Sequence, residues 1–176
     1  MTSTHTDQTR TVVVKVPAKT ERQNRELGFN GGGPWPAGLV GLLIEMVVLD
    51  PPLAMPPVIE ACTDAELVDL VDMTLELDDE FVGVLELLAG ERTQAHVVVD
   101  LLEAHFVTCV FFDPAVINID RDHQHAGEIK AAAVDVQEQL PERCDNIDGE
   151  AHRWWEAHAA ARRWLRERSE PGAGRG

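Results

Sequence analysis

Residues 93–109, TQAHVVVDLLEAHFVTC, carry the clearest periodicity in the chain. Val98, Leu101, Leu102, His105, Phe106 and Cys109 recur at three- and four-residue intervals, the spacing that gathers side chains on one face of an α-helix. Thr93 stands just before the run, where a hydroxyl residue suits the N-cap of a helix whose first N–H groups lack partners. The segment therefore reads as the central helix of a mainly α, bundle-like body of about four to five helices.

The neighbouring stretches extend that reading in both directions. Downstream, Asp113-Pro114 breaks the helix, and Ala115-Val-Ile-Asn-Ile119 reads as a short second strand or an extended link. Asp122 is placed to cap a helix with Ile129, Ala132, Ala133, Val136 and Leu140 on its stripe, stopped by Pro141. Asp148 is placed to cap the last helix, in which Trp154, His158, Ala161 and Leu165 share a side. Upstream, Gly90 suits a helix C-terminus, and Phe81, Val84, Leu85 and Leu88 form the stripe before it. Thr63-Asp-Ala-Glu66 matches a capping box, which predicts a helix from Asp64 with Leu67, Leu70, Val71 and Leu75 on its apolar face.

The N-terminal third has a different character. Thr11-Val-Val-Val-Lys-Val-Pro17 is a β-branched run closed by proline and reads as a strand. Gly28-Phe-Asn-Gly-Gly-Gly-Pro-Trp-Pro36 reads as a loop, and the apolar run 37–49 fits a buried helix or a buried strand equally. Four segments follow: a polar tail at 1–10, a strand, loop and apolar segment at 11–62, an acidic helical body at 63–168, and a loose tail at 169–176.

Charge follows the same division. Of the net −16, residues 37–150 hold 25 acidic and four basic side chains, whereas residues 1–36 and 151–176 are each mildly basic. A field of that sign repels nucleic acid from residues 37–150 and leaves the ends as the places for phosphate or acidic contacts. The basic residues are 12 Arg and three Lys, a composition resembling that of halophiles or high-GC organisms, in which acidic charge serves solubility. Three widely spaced cysteines and a polar start without an apolar signal segment point to a reducing, cytoplasmic compartment. Ala37–Leu49 is interrupted by Glu45 and is shorter than the roughly 20 residues a membrane span needs, so no membrane association is expected.

Several chemistries lack their residues. The only serines, Ser3 and Ser169, lie in the tails, which leaves a buried Ser-His-Asp site without a nucleophile. The Gly28–Gly33 loop lacks the Gly-Lys-Ser/Thr ending of a phosphate cradle, and neither Cys-x-x-Cys nor His-Glu-x-x-His occurs. No catalytic residue and no cofactor is expected. The candidate metal ligands are Asp120, Asp122, His123 and His125, two carboxylates and two imidazoles within six residues at the start of a helix. Glu150, His152, Glu156 and His158 form a second cluster, without the spacing of di-iron bundles. Cys109 lies on an apolar stripe and reads as a small hydrophobe, which leaves Cys144 as the more reactive thiol. Asp69, Asp72, Glu76, Asp79 and Glu80, read as helix faces, offer a spacing that could imitate DNA phosphates.

Thr11–Pro17, the polar segment Ala18–Leu27, a glycine turn and an apolar segment from Ala37 together resemble the strand-helix-helix order of ribbon-helix-helix DNA-binding proteins. The resemblance covers about residues 10–49 and implies that Arg10, Lys15 and Lys19 face DNA. It departs from that family in the weak apolar face of Ala18–Leu27 and in the long break at 31–36.

Three functional expectations follow. The first is a non-enzymatic acidic helical protein acting through protein contacts, an accessory, regulatory or assembly component such as viruses or plasmids encode. Its contact residues are Trp155, Arg162 and Arg166 in a basic, tryptophan-rich last helix, and a homo-oligomer is compatible with it. The second is a DNA-binding regulator using the N-terminal segment. The third is a metal-binding protein or enzyme using the Asp120–His125 cluster.

Overall fold

A computed structural model of the chain describes residues 9–22, 58–115 and 124–169. The Gly/Pro loop and the apolar run 37–49 lie outside the described residues. The expected class holds: the chain is mainly helical, with an N-terminal strand and a second strand paired in a small antiparallel sheet. The chain forms two compact units, and the division falls within its longest apolar helix, after Leu102.

Unit 1 is built on a β-ribbon. Strand β1 (Thr9–Pro17) pairs antiparallel with β2 (Leu70–Asp78), in a register that runs from Thr9 opposite Asp78 to Pro17 opposite Leu70. Opposed residues project to the same face of a ribbon, so Val14 with Met73 and Val12 with Leu75 form its inner side. Val14, Val16, Met73, Leu75 and Leu77 are buried there, against helix α1 (Asp79–Ala89) and the first half of α2 (Gln94–Phe112). The outer side carries Thr11 opposite Glu76, Val13 opposite Thr74 and Lys15 opposite Asp72.

The strand at Leu70–Asp78 corrects the helix expected from Asp64. The capping box does form, with Glu66 Oε2 accepting from the Thr63 N–H (2.7 Å) and the Thr63 hydroxyl (2.8 Å). It caps only a single 3-10 turn, Asp64–Glu66, after which Asp69 takes a positive φ of 51°. A short polar side chain tolerates that left-handed conformation, which turns the chain into β2. From Met73 the side chains follow a two-residue period: Met73, Leu75 and Leu77 point inward while Thr74 and Glu76 stay wet. The strand paired with β1 lies here; of the expected segment 115–119, Ala115 takes part in a turn on Asp113, and 116–119 lie outside the described residues.

α1 restarts at Asp79 and ends at Gly90, whose φ of 56° favours a residue without a Cβ. α2 starts at Gln94, directly after the expected cap Thr93. Ala95, Val97, Val98, Leu101 and Leu102 are buried in unit 1, and Ala104, Phe106, Val107, Val110 and Phe111 in unit 2. α2 is long and apolar enough to cross a membrane by length and composition, but most of it is buried inside the protein.

Unit 2 joins the second half of α2 to α3 (Ala126–Gln137) and α4 (Ile147–Ser169). α3 buries Ile129 and Ala133 of the expected stripe, and its N-cap is His125. α4 is capped by Asn146, whose Oδ1 accepts the Gly149 N–H at 2.7 Å, rather than by Asp148.

Candidate functional site

α4 is placed by its two ends and by one buried side. At its start the Cys144 thiol folds over Gly149, so that a Cβ at 149 would turn the thiol aside. Glu150 Oε1 accepts the Cys144 N–H at 3.1 Å in the same turn. At its end, Arg168 pairs with Glu128 of α3 and lies 4.9 Å over the Trp164 ring, while the Ser169 hydroxyl donates to Val58 O at 2.9 Å. Cations in a last turn also suit the negative end of the helix dipole.

The buried side of α4 is unusual in containing arginine. Arg153, 5% exposed, donates through Nη1 to Pro141 O (2.7 Å) and through Nη2 to Gln137 Oε1 (2.6 Å) and Phe112 O (3.3 Å). Gln137 Nε2 in turn donates to Phe111 O at 2.6 Å. The last carbonyls of α2, which have no intrahelical donors, are thereby satisfied from α3 and α4. The Phe112 ring lies under both Arg153 (5.6 Å) and Arg143 (5.7 Å), and the edge of Trp154 meets it at 5.5 Å. Burial works against ionisation of the nearby Asp113, but the Arg143 hydrogen bond, the Ala115 N–H and the charges of Arg143 and Arg153 outweigh it and lower its pKa.

His105 and Cys109 meet one turn apart on α2, Nε2 to Sγ 3.4 Å, with Trp154 packed against the imidazole at 5.7 Å. Burial, with a smaller push from His158, lowers His105 to about 4. Burial also pushes the Cys109 thiol up to about 12. The pair is neutral at ordinary pH, so Cys109 is a packed thiol and not a nucleophile, as its place on the apolar stripe implies.

The opposite side of α4 faces solvent. Asp148, His152, Trp155, Ala159, Arg163 and Arg166 are all exposed, at intervals of three or four residues that keep them on one stripe. Trp155 is 55% exposed, held at one edge by His158 (5.8 Å). Of the three expected contact residues, Trp155 and Arg166 lie at this surface. Arg162 is only 4% exposed and belongs to the interior of unit 2, which removes it from a contact surface.

Unit 1 contains a second polar network that the sequence reading missed. Asp100, fully buried at 0% exposure, accepts the Cys62 N–H on Oδ1 (2.8 Å) and Arg92 Nη2 on Oδ2 (2.6 Å). Next to it, buried His96 accepts the Thr93 N–H on Nδ1 (3.1 Å), lies 2.8 Å from the Thr93 hydroxyl, and reaches Asp64 Oδ1 through Nε2 (3.0 Å). Carboxylate, imidazole and hydroxyl stand in the order of a nucleophilic triad. The Nδ1 lone pair that would take the hydroxyl proton already accepts a backbone N–H, however, and this makes the ring a helix cap that ties 62–66 to α2. One signal was legible: an aspartate inside Val97-Val-Val-Asp-Leu-Leu102 has to find a partner when its helix is buried.

The remaining candidates separate. Asp120, Asp122 and His123 lie outside the described residues. His125 is partly covered at the N-cap of α3, its Nε2 3.7 Å from Glu60 Oε1. Among the described residues no three His, Cys, Asp or Glu side chains are gathered to hold a metal ion. Glu150 is engaged with the Cys144 loop, His158 lies against Trp155, and His152 and Glu156 are exposed. At the ribbon, Lys15 Nζ pairs with Asp72 (3.1 Å), Arg10 Nε pairs with Asp79 (3.3 Å), and Lys19 is exposed. The acidic set Asp69, Asp72, Glu76, Asp79 and Glu80 is spread over a turn, a strand and a helix start, so the helical spacing expected of it does not arise.

Comparisons of the chain with known protein families, with curated proteins and with solved structures return no match.

Proposed function

We propose that the protein is a non-enzymatic regulatory or assembly component that works through protein contacts made by the exposed face of α4. The observation that carries this reading is Trp155, a large amphipathic ring left 55% exposed on a stripe that also presents Arg163 and Arg166. Trp and Arg dominate the energetics of protein interfaces because both offer wide contact area with polar edges, and here the exposed indole shares its stripe with two arginines. A reducing, cytoplasmic setting accords with the three cysteines, none of them in a disulfide.

The reading is tested by placing a photo-crosslinking amino acid at position 155 and irradiating the full chain in extracts of its native host. A discrete adduct that weakens with Arg166→Ala is expected. Absence of any adduct at 155, with efficient labelling by the same reagent in a positive control, would sink it.

The DNA-binding alternative rests on the basic N-terminus, where Arg10 and Lys15 already have acidic neighbours in unit 1. A gel-shift salt series on wild type and Lys15→Ala tests it: phosphate contacts by β1 require binding that strengthens as salt falls and weakens without Lys15.

A further inference from the structure

The exposed stripe of α4 carries its charges in an order that matches itself. Its first turns hold acid (Asp148) and then His152, its centre holds Trp155 and the small Ala159, and its last turns hold base (Arg163, Arg166). We infer that this face docks antiparallel onto the same face of a second copy of the chain. The inference rests on the reading of α4 as the contact surface and names its occupant.

The register follows from the residues. A two-fold axis at the height of residue 157 brings Asp148 opposite Arg166 of the second copy, and Trp155 opposite Ala159. By symmetry each of these pairs occurs twice. Large meets small at the centre, so both indoles are covered without a clash, and opposite charges close both ends. Parallel docking puts Asp148 over Asp148 and Arg166 over Arg166, and so is rejected by the same charges. A face shaped for an acidic partner would need base along its whole length, whereas this one holds both signs, separated by an apolar centre. The antiparallel arrangement also sets the helix dipoles in opposition, a further small gain. Against it acts the net charge of −16, which makes two copies repel and weakens the association.

Sedimentation equilibrium of the full chain gives the test. Wild type is expected to pass from 19.4 kDa to twice that mass as its concentration rises through about 10–300 µM. Asp148→Arg and Arg166→Asp should each weaken association by about tenfold or more, because each turns both end pairs repulsive. Mixing the two variants in equal amounts should restore dimers, since only the mixed pair sets opposite charges at both ends, and the double variant should self-associate as wild type does. Restoration shows that the single variants are folded. A wild-type chain that stays at 19.4 kDa throughout, or single variants that do not rescue one another, overturns the inference. In either case a cross-link from position 155 to a different polypeptide leaves the reading of α4 standing, and no cross-link at all removes both.

Discussion

The two units each bury a charged side chain, and they do so with opposite signs. In unit 1 a carboxylate, Asp100, gathers a backbone N–H and the Arg92 guanidinium; in unit 2 a guanidinium, Arg153, gathers a backbone carbonyl from the end of α2, the Gln137 side chain and Pro141 O. Each charge does the same job, fastening an irregular segment to the common helix α2 or to its end. The difference is in what is left behind when the charge goes. A buried N–H has one bond to lose, whereas a carbonyl has two lone pairs and tolerates partial satisfaction better. Asp100 is also sealed completely, while Arg153 shares its load with Gln137 and an aromatic stack.

That contrast is most directly broken at Asp100. Asp100→Ala is expected to destabilise unit 1 by about 3 kcal/mol, since it orphans the Cys62 N–H and deprives Arg92 of its anion. Hydrogen exchange should quicken first at 61–66, and Arg92→Ala added to it should cost little more, because the two residues serve one network. Arg153→Met comes next, at about 2 kcal/mol, since its aliphatic replacement keeps some of the packing over Phe112. Faster exchange is expected at the end of α2 and at 137–143, with 61–66 unchanged; an equal response in both segments would erase the distinction between the two clasps.

The smallest effect is on acid sensitivity, and it sharpens the comparison by adding a titratable group to unit 2. His105 is held at about 4, below its ordinary 6.5, so its neutral form is the one the fold favours. Its contribution is complete above pH 6.5 and is lost as pH falls from there toward 4, when the unfolded chain takes the proton first. The urea midpoint followed by fluorescence of Trp154, Trp155 and Trp164 should fall across that window. In His105→Gln the fall should be shallower.

The helices from Asp79 onward were legible because their stripes are local: α2 and the stripe of α3 emerge where periodicity puts them. The segment 63–78 was not. Leu67, Leu70, Val71 and Leu75 fit a helix, while Met73, Leu75 and Leu77 fit a strand, and one stretch of sequence supports both periods. What separates them is β1, more than fifty residues earlier in the chain, whose Val12 and Val14 cover Leu75 and Met73 across the ribbon. The site divides in the same way. That α4 presents Trp155 and Arg166 at its surface could be read directly, but the burial of Arg153 and Arg162 could not, because arginine ordinarily marks the wet side of a helix.

Sequence alone thus determined the helical class, the N-terminal strand, the concentration of acid in the middle and the absence of the usual catalytic motifs, all properties of composition and of neighbours within a few turns. Tertiary structure decided which strand β1 pairs with and which arginines are structural. These depend on what covers a side chain, and the covering groups come from distant parts of the chain that no local period records.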